Sequence, residues 1–307
     1  MQNAFNAVGC ILLLALAGAG VYLLGWVRDE HLPLLSALVI KVALPCMIVN
    51  NVLGQYTPES LLSNLPALAA ALISVVLTLL LALPLGKLLK LPGRRMGVFV
   101  VMFAFSNSVF IGVPVSRALF GEAVIPYTLL YYIANTSLFW GVGFPLMRKW
   151  GGAAAGRRQA PPIPLVVILI CFLLVFLRFR PPQFIMDACG YLGNMVTPVS
   201  LLFTGAVMAR MVCARTFRWE KGYLAATLGR FIVCPALLLL CALPFGLSDL
   251  SRDVLMVQAG MPVMTQTALV AASTGSDEEY AAGGTALTTV LSLLMIPLYM
   301  LLIEKVL

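Results

Sequence analysis

The chain has 307 residues, of which 61% are hydrophobic and only 10% charged, with a net charge of +8. A soluble protein carries about 25% charged residues, so twelve acidic and twenty basic side chains cannot cover a globule of this size. The apolar excess must face lipid, which makes this a polytopic membrane protein and turns the basic residues into reporters of orientation rather than of a nucleic-acid partner.

About 20 apolar residues suffice to cross a bilayer, and ten such runs follow one another: 7–27, 32–53, 64–89, 96–120, 125–147, 162–179, 184–210, 221–245, 252–273 and 281–303. The N-terminal MQNAFNAVGC has no basic n-region, so the first run is expected to stay as a membrane helix. Thirteen Lys and Arg fall on the side away from the termini and five on the termini's side. Positive loops stay cytoplasmic, so both termini are expected outside. His31 stands alone in a charged loop, and the seven cysteines, Cys10, Cys46, Cys171, Cys189, Cys213, Cys234 and Cys241, form no CxxC pair. No metal site, disulfide framework or cofactor is implied. No Ser/His/Asp set or carboxylate pair lies at depth either, so an enzyme is not expected.

Prolines recur at a near-constant offset. Pro45 and Pro198, themselves expected at helix breaks, lie 153 residues apart, Pro114 and Pro262 148, and Pro145 and Pro297 152. This predicts a duplication: a five-helix repeat over 1–150, a basic cytoplasmic linker over 151–161, and a second repeat over 162–307. An odd number of spans per half inverts one half relative to the other, an arrangement that recurs in secondary transporters with substrate held at interrupted helices.

The interruptions are expected in the fourth and ninth spans. Ser106, Asn107 and Ser108 precede Gly112 and Pro114, and Gly260 and Pro262 precede Thr265 and Gln266. A break after each proline would leave two half-helix N-termini, whose N–H groups and partial positive charge suit an anion. A simple proline kink is the alternative. The acidic residues fall in loops or span ends, with Asp187 in the first turn or so of the seventh span. The permanent charges at depth, Lys41 and Arg230, are both positive. Lys41 is divided between a site role and snorkelling; Arg230 reads as snorkelling or structurally paired. Asn135 and Thr288, 153 residues apart in the spans after each break, join the site candidates. Asn50, Asn51, Thr136, Thr197, Ser200 and Thr289 read mostly as helix-bridging polar groups. Tyr127, Tyr131 and Tyr132 read as an interfacial belt.

The segment Ser106-Asn107-Ser108-Val109-Phe110-Ile111-Gly112-Val113-Pro114 resembles that of the auxin efflux carrier family, which includes bacterial permeases of the malonate-transporter type. Val42-Ala43-Leu44-Pro45, Thr197-Pro198 and Met261-Pro262 are similar to its repeated proline positions, and the likeness extends over essentially the whole chain. The resemblance implies an all-α fold of ten helices in two inverted five-helix repeats, with helices 4 and 9 broken and crossing, as in bile-acid symporters and sodium/proton antiporters. It also implies a panel and a transport domain, a homodimer in the inner membrane, and elevator-like movement of an organic anion. Asn107, Gly112, Pro114, Pro262 and Gln266 carry over as site residues. The short linker departs from the long hydrophilic loop of plant relatives and points to a bacterial member. The expectation is a carrier of small carboxylates such as malonate. A sodium-coupled bile-acid-like symporter and a ligand-gated sensor or channel are the alternatives, and Na⁺ coupling is left open.

Overall fold

A computed structural model of the chain describes residues 2–152, 163–214 and 219–306. The expected linker falls outside them except for Gly151 and Gly152. The described residues are helical almost throughout, and their only β pairing is an antiparallel bridge between Ser106 and Val263.

The first expected span falls on α1 (Gln2–Leu23). The second is α2 (Leu32–Leu38) and α3 (Leu44–Gln55), joined by a π-turn, Val39–Ala43. A short α4 (Pro58–Ser63), capped by Thr57, leads into α5 (Leu65–Leu88). Next come α6 (Gly93–Ala104) and α7 (Val113–Phe120), then α8 (Ile125–Leu138) and α9 (Phe144–Gly151). Beyond the linker, α10 (Ile163–Phe176) has 14 residues and is followed by α11 (Gln183–Gly193) and α12 (Val196–Ala214). The chain closes with α13 (Tyr223–Leu228), α14 (Cys234–Ala242), α15 (Asp249–Ala259), α16 (Thr267–Thr274) and α17 (Glu278–Val306). Among the described residues, five stretches are long and apolar enough to cross a membrane: Asp29–Gly54, Pro58–Leu88, Gln183–Arg210, Tyr223–Phe245 and Glu278–Ile303. Other expected spans are shorter or assembled from pieces.

Proline dictates how the pieces join. Four π-turns, Val39–Ala43, Ser108–Gly112, Phe139–Gly143 and Gly229–Val233, each end two residues before Pro45, Pro114, Pro145 or Pro235. The proline ring would strike the carbonyl four residues back and has no N–H to give it. Widening the turn by one residue relieves both problems: Leu44, Val113, Phe144 and Cys234 each donate to the carbonyl five residues back. Pro45, expected at a helix break, therefore lies in a continuous helix with a wide turn. The break near Pro198 falls ahead of it, at Asn194–Met195.

Two dense packing groups result, joined where α1 and α12 meet α7 and the π-turn before it. In one, α1 lies along α12, and α3 lies against α10 and α11. Gly18 and Gly205 make the α1–α12 crossing tight: a Cβ on either would overlap the backbone of the other helix, at Leu202 and Ala15. In the second group, α5 packs on α6, α8 and α14, α6 on α9, and α14 on α15. The end that gathers the starts of α6 and α17 is fastened by ions. Arg95 pairs with Glu220 at 2.6 Å and Asp277 at 2.8 Å and lies 5.1 Å over the Tyr280 ring.

Candidate functional site

The fourth span breaks at Phe105, Ser106 and Asn107, earlier than the Gly112–Pro114 position expected from sequence. Gly112 and Pro114 instead belong to the π-turn and the first turn of α7. The half-helix N-terminus of the fourth span thus precedes its proline. In the ninth span the interruption runs from Gly260 to Gln266, and Pro262 lies within it. The two extended segments meet: the Asn107 N–H donates to the Pro262 carbonyl at 2.7 Å, beside the Ser106–Val263 bridge. Each supplies the backbone partners that the other loses on leaving the helix.

Each segment is braced by a helix that follows it in the chain, α8 or α17. Asn135, fully buried, accepts from the Ser106 N–H at 3.1 Å and donates to the Ser106 carbonyl at 3.0 Å. The Thr288 hydroxyl accepts from the Val263 N–H at 3.2 Å. These two residues, predicted as ligands, hold the backbone and do not line the cavity beside it.

That cavity, about 110 Å³, is bounded by Ser106, Asn107, Ser108, Thr265 and Gln266, with Ile40 and Leu44 from the other packing group. Asn107 caps the following half-helix by accepting from the Phe110 N–H at 3.1 Å. Its amide nitrogen donates to the Thr265 hydroxyl at 2.6 Å. Having accepted there, Thr265 has its own proton to give elsewhere, and with the Ser108 hydroxyl and the Gln266 amide it offers donors suited to a carboxylate. Thr265 also borders a second, mostly apolar cavity of about 380 Å³ between α12 and α17. Two hydroxyls lining that cavity, Thr204 and Thr285, are buried without a hydrogen-bond partner. Among the described residues, no Asp or Glu lines either cavity.

Other predicted residues fall around this centre. Gly112 packs against Gln258, whose amide donates to the Ser116 hydroxyl at 3.0 Å. A Cβ at Gly112 would overlap that amide. Gly260 packs under the Tyr299 ring. Lys41 is exposed and lines neither cavity, so its expected site role finds no support in its position. Tyr131 and Tyr132, read as an interfacial belt, are buried, and Tyr132 lines the smaller cavity beside Thr136 and Trp140.

Arg230, read as snorkelling or structurally paired, has no exposed surface. It donates to the carbonyls of Phe103 at 3.0 Å, Met261 at 3.2 Å, and Ala259. Sequence pattern flagged its depth but not its partners, which are backbone atoms without a residue-type signal. Gln258 and Ser116 were missed for a related reason, since neither stands out until the α7–α15 crossing brings them together.

A family profile described as membrane transport protein matches residues 4–163 and 159–300 of the chain. An uncharacterized transporter of Methanocaldococcus jannaschii is 24% identical over 306 residues, covering 96% of this chain and 97% of its own. An uncharacterized transporter of Methanothermobacter thermautotrophicus is 23% identical over 310 residues, covering 97% of this chain and 98% of its own. With both halves matched and the Asn107-to-Pro114 segment in place, the chain belongs to the membrane transport protein family, that of the auxin efflux carriers.

Proposed function

We propose that the protein is a secondary carrier of small organic anions, carboxylates such as malonate or a related dicarboxylate. In this reading ten spans form two inverted five-helix repeats, both termini lie outside a cell membrane, and the chain works as a homodimer by elevator-like alternating access. The observation that carries the reading is the cavity at the crossing: uncharged donors on Asn107, Ser108, Thr265 and Gln266, no carboxylate among the described residues of the lining, and walls drawn from two packing groups. Half-helix N-termini and hydroxyl or amide donors hold an anion without a fixed counter-charge. A site shared between two groups opens to one side or the other when they slide.

The larger cavity favours a second version of the substrate. Its 380 Å³ is mostly apolar, more room than a compact dicarboxylate fills and enough for the hydrocarbon body of an amphipathic monocarboxylate. The test is thermal unfolding of the purified protein against mono- and dicarboxylates, indole acids, bile acids and organic cations. A ligand at 100 times its Kd raises stability by about 2.7 kcal/mol. Carboxylate stabilisation that disappears in Asn107→Ala is the expected result, and a response to cations alone would overturn it.

A further inference from the structure

We propose that Arg230 is a built-in counter-cation for the crossing, so that this carrier binds its anion without loading a metal cation. The inference rests on the anion-carrier reading but is tested apart from it.

The broken helices present two kinds of end. Their N-terminal halves, α6 and α15, finish at the crossing with carbonyls that no later turn can satisfy. Each helix C-terminus carries about −0.5 of an elementary charge, so two converging ends sum to about −1. Carriers built on broken helices commonly meet such ends with a cation held by the freed carbonyls. Here one guanidinium meets them. Arg230 reaches Phe103 near the end of α6, Ala259 at the end of α15 and Met261 just beyond. It is fully buried, packs beside Tyr131, and donates to three backbone carbonyls at the ends of the two helices to be neutralised. Cys234, one turn on, donates to the same Phe103 carbonyl at 3.2 Å. Arginine cannot lose its proton in a protein, so this charge is permanent. The positive N-terminal ends at Asn107 and Thr267 are then left for the anion, with no separate ion needed to balance the C-terminal pair.

The experiment measures melting temperature of the ligand-free protein at constant ionic strength, replacing choline by Na⁺, Li⁺ or K⁺. Wild type is expected to show no cation-specific, saturable shift. Arg230→Ala is expected to melt lower in choline and to recover with millimolar methylguanidinium but not with tetramethylammonium. Saturable Na⁺ or Li⁺ stabilisation of wild type, or an Arg230→Ala protein that melts like wild type or ignores methylguanidinium, would overturn the proposal. Should Arg230→Ala not fold, Arg230→Lys keeps the charge and is expected to stay cation-insensitive at a lower melting temperature; a Na⁺ response there counts against the proposal. Carboxylates added in Na⁺ and in choline separate the two readings. Equal stabilisation supports both, and stabilisation only in Na⁺ sinks the counter-cation while leaving the anion carrier. If no carboxylate acts in either buffer, the anion reading fails, and the ligand-free cation titration still decides the role of Arg230.

Discussion

Asn135 holds both polar groups of the Ser106 peptide backbone in a fully buried setting. Asn135→Leu leaves that N–H unpaired, at roughly 1–3 kcal/mol for a buried group, and takes one of two donors from the carbonyl, which keeps the Ser108 N–H at 2.9 Å. The expected result is a melting point lowered by several degrees and ligand affinity lost with it, read by thermal unfolding with and without a carboxylate. Gly112 makes a different point, because its constraint is steric. Gly112→Ala pushes into the Gln258 amide and should weaken binding at least tenfold. Gly112→Ala combined with Gln258→Ala should restore much of it by making room; unchanged affinity in the single variant would refute the close packing as a functional constraint. Lys41→Ala, on an exposed side chain, should leave affinity within twofold.

At the scale of elements, the π-turns convert a steric fault into a rotational setting. Each inserted residue rotates what precedes it by about 100° relative to a regular helix. Arg230 occupies such a turn, ahead of Pro235. Pro235→Ala permits the regular four-residue ladder to close and turns Arg230 away from the Phe103 and Met261 carbonyls. It should therefore reproduce the lowered melting point of Arg230→Ala in choline, although the arginine is intact. A melting curve identical to wild type would show that packing, not proline, sets the turn. The proline pattern was readable in the sequence and its consequence was not. The repeat offset even extends to Pro84 and Pro235, 151 apart, yet Pro84 lies inside the continuous α5 while Pro235 follows a π-turn. A local clash can be absorbed by bending or by widening, and only the neighbouring helices select between them.

At the scale of the whole molecule, the ion cluster of Arg95, Glu220 and Asp277 ties the first turn of α6 to the connections ahead of α13 and α17. Burial pushes the Asp277 carboxyl up, but the Tyr280 N–H and the Arg95 guanidinium more than offset it, leaving it below its ordinary value. A carboxylate lowered on folding stabilises the fold above its unfolded pKa, and that contribution is lost as pH falls through the folded value. Wild type should therefore lose stability on acidification below about pH 4. Arg95→Gln should melt lower at neutral pH, by on the order of 1 kcal/mol for a partly exposed network, and show a flatter acid limb. An acid limb as steep as that of wild type would remove Arg95 from the account.

Composition alone determined that this is a membrane protein, because charge content and apolar length bound what a surface can be. Local steric rules carried the order of helices and the places where they are disturbed. Asn107, Thr265 and Gln266 were legible as candidates because polar side chains amid apolar runs have few other uses, and the structure brings the three to one cavity. Tertiary structure alone decided that the fourth helix breaks at Ser106 rather than at Pro114. It also made Asn135 and Thr288 braces and gave Arg230 the carbonyls of two helices, one of them 127 residues away in sequence. The reason is physical: every residue has a carbonyl, so which one is left free depends on where a helix ends, and which cation reaches it depends on how distant helices cross.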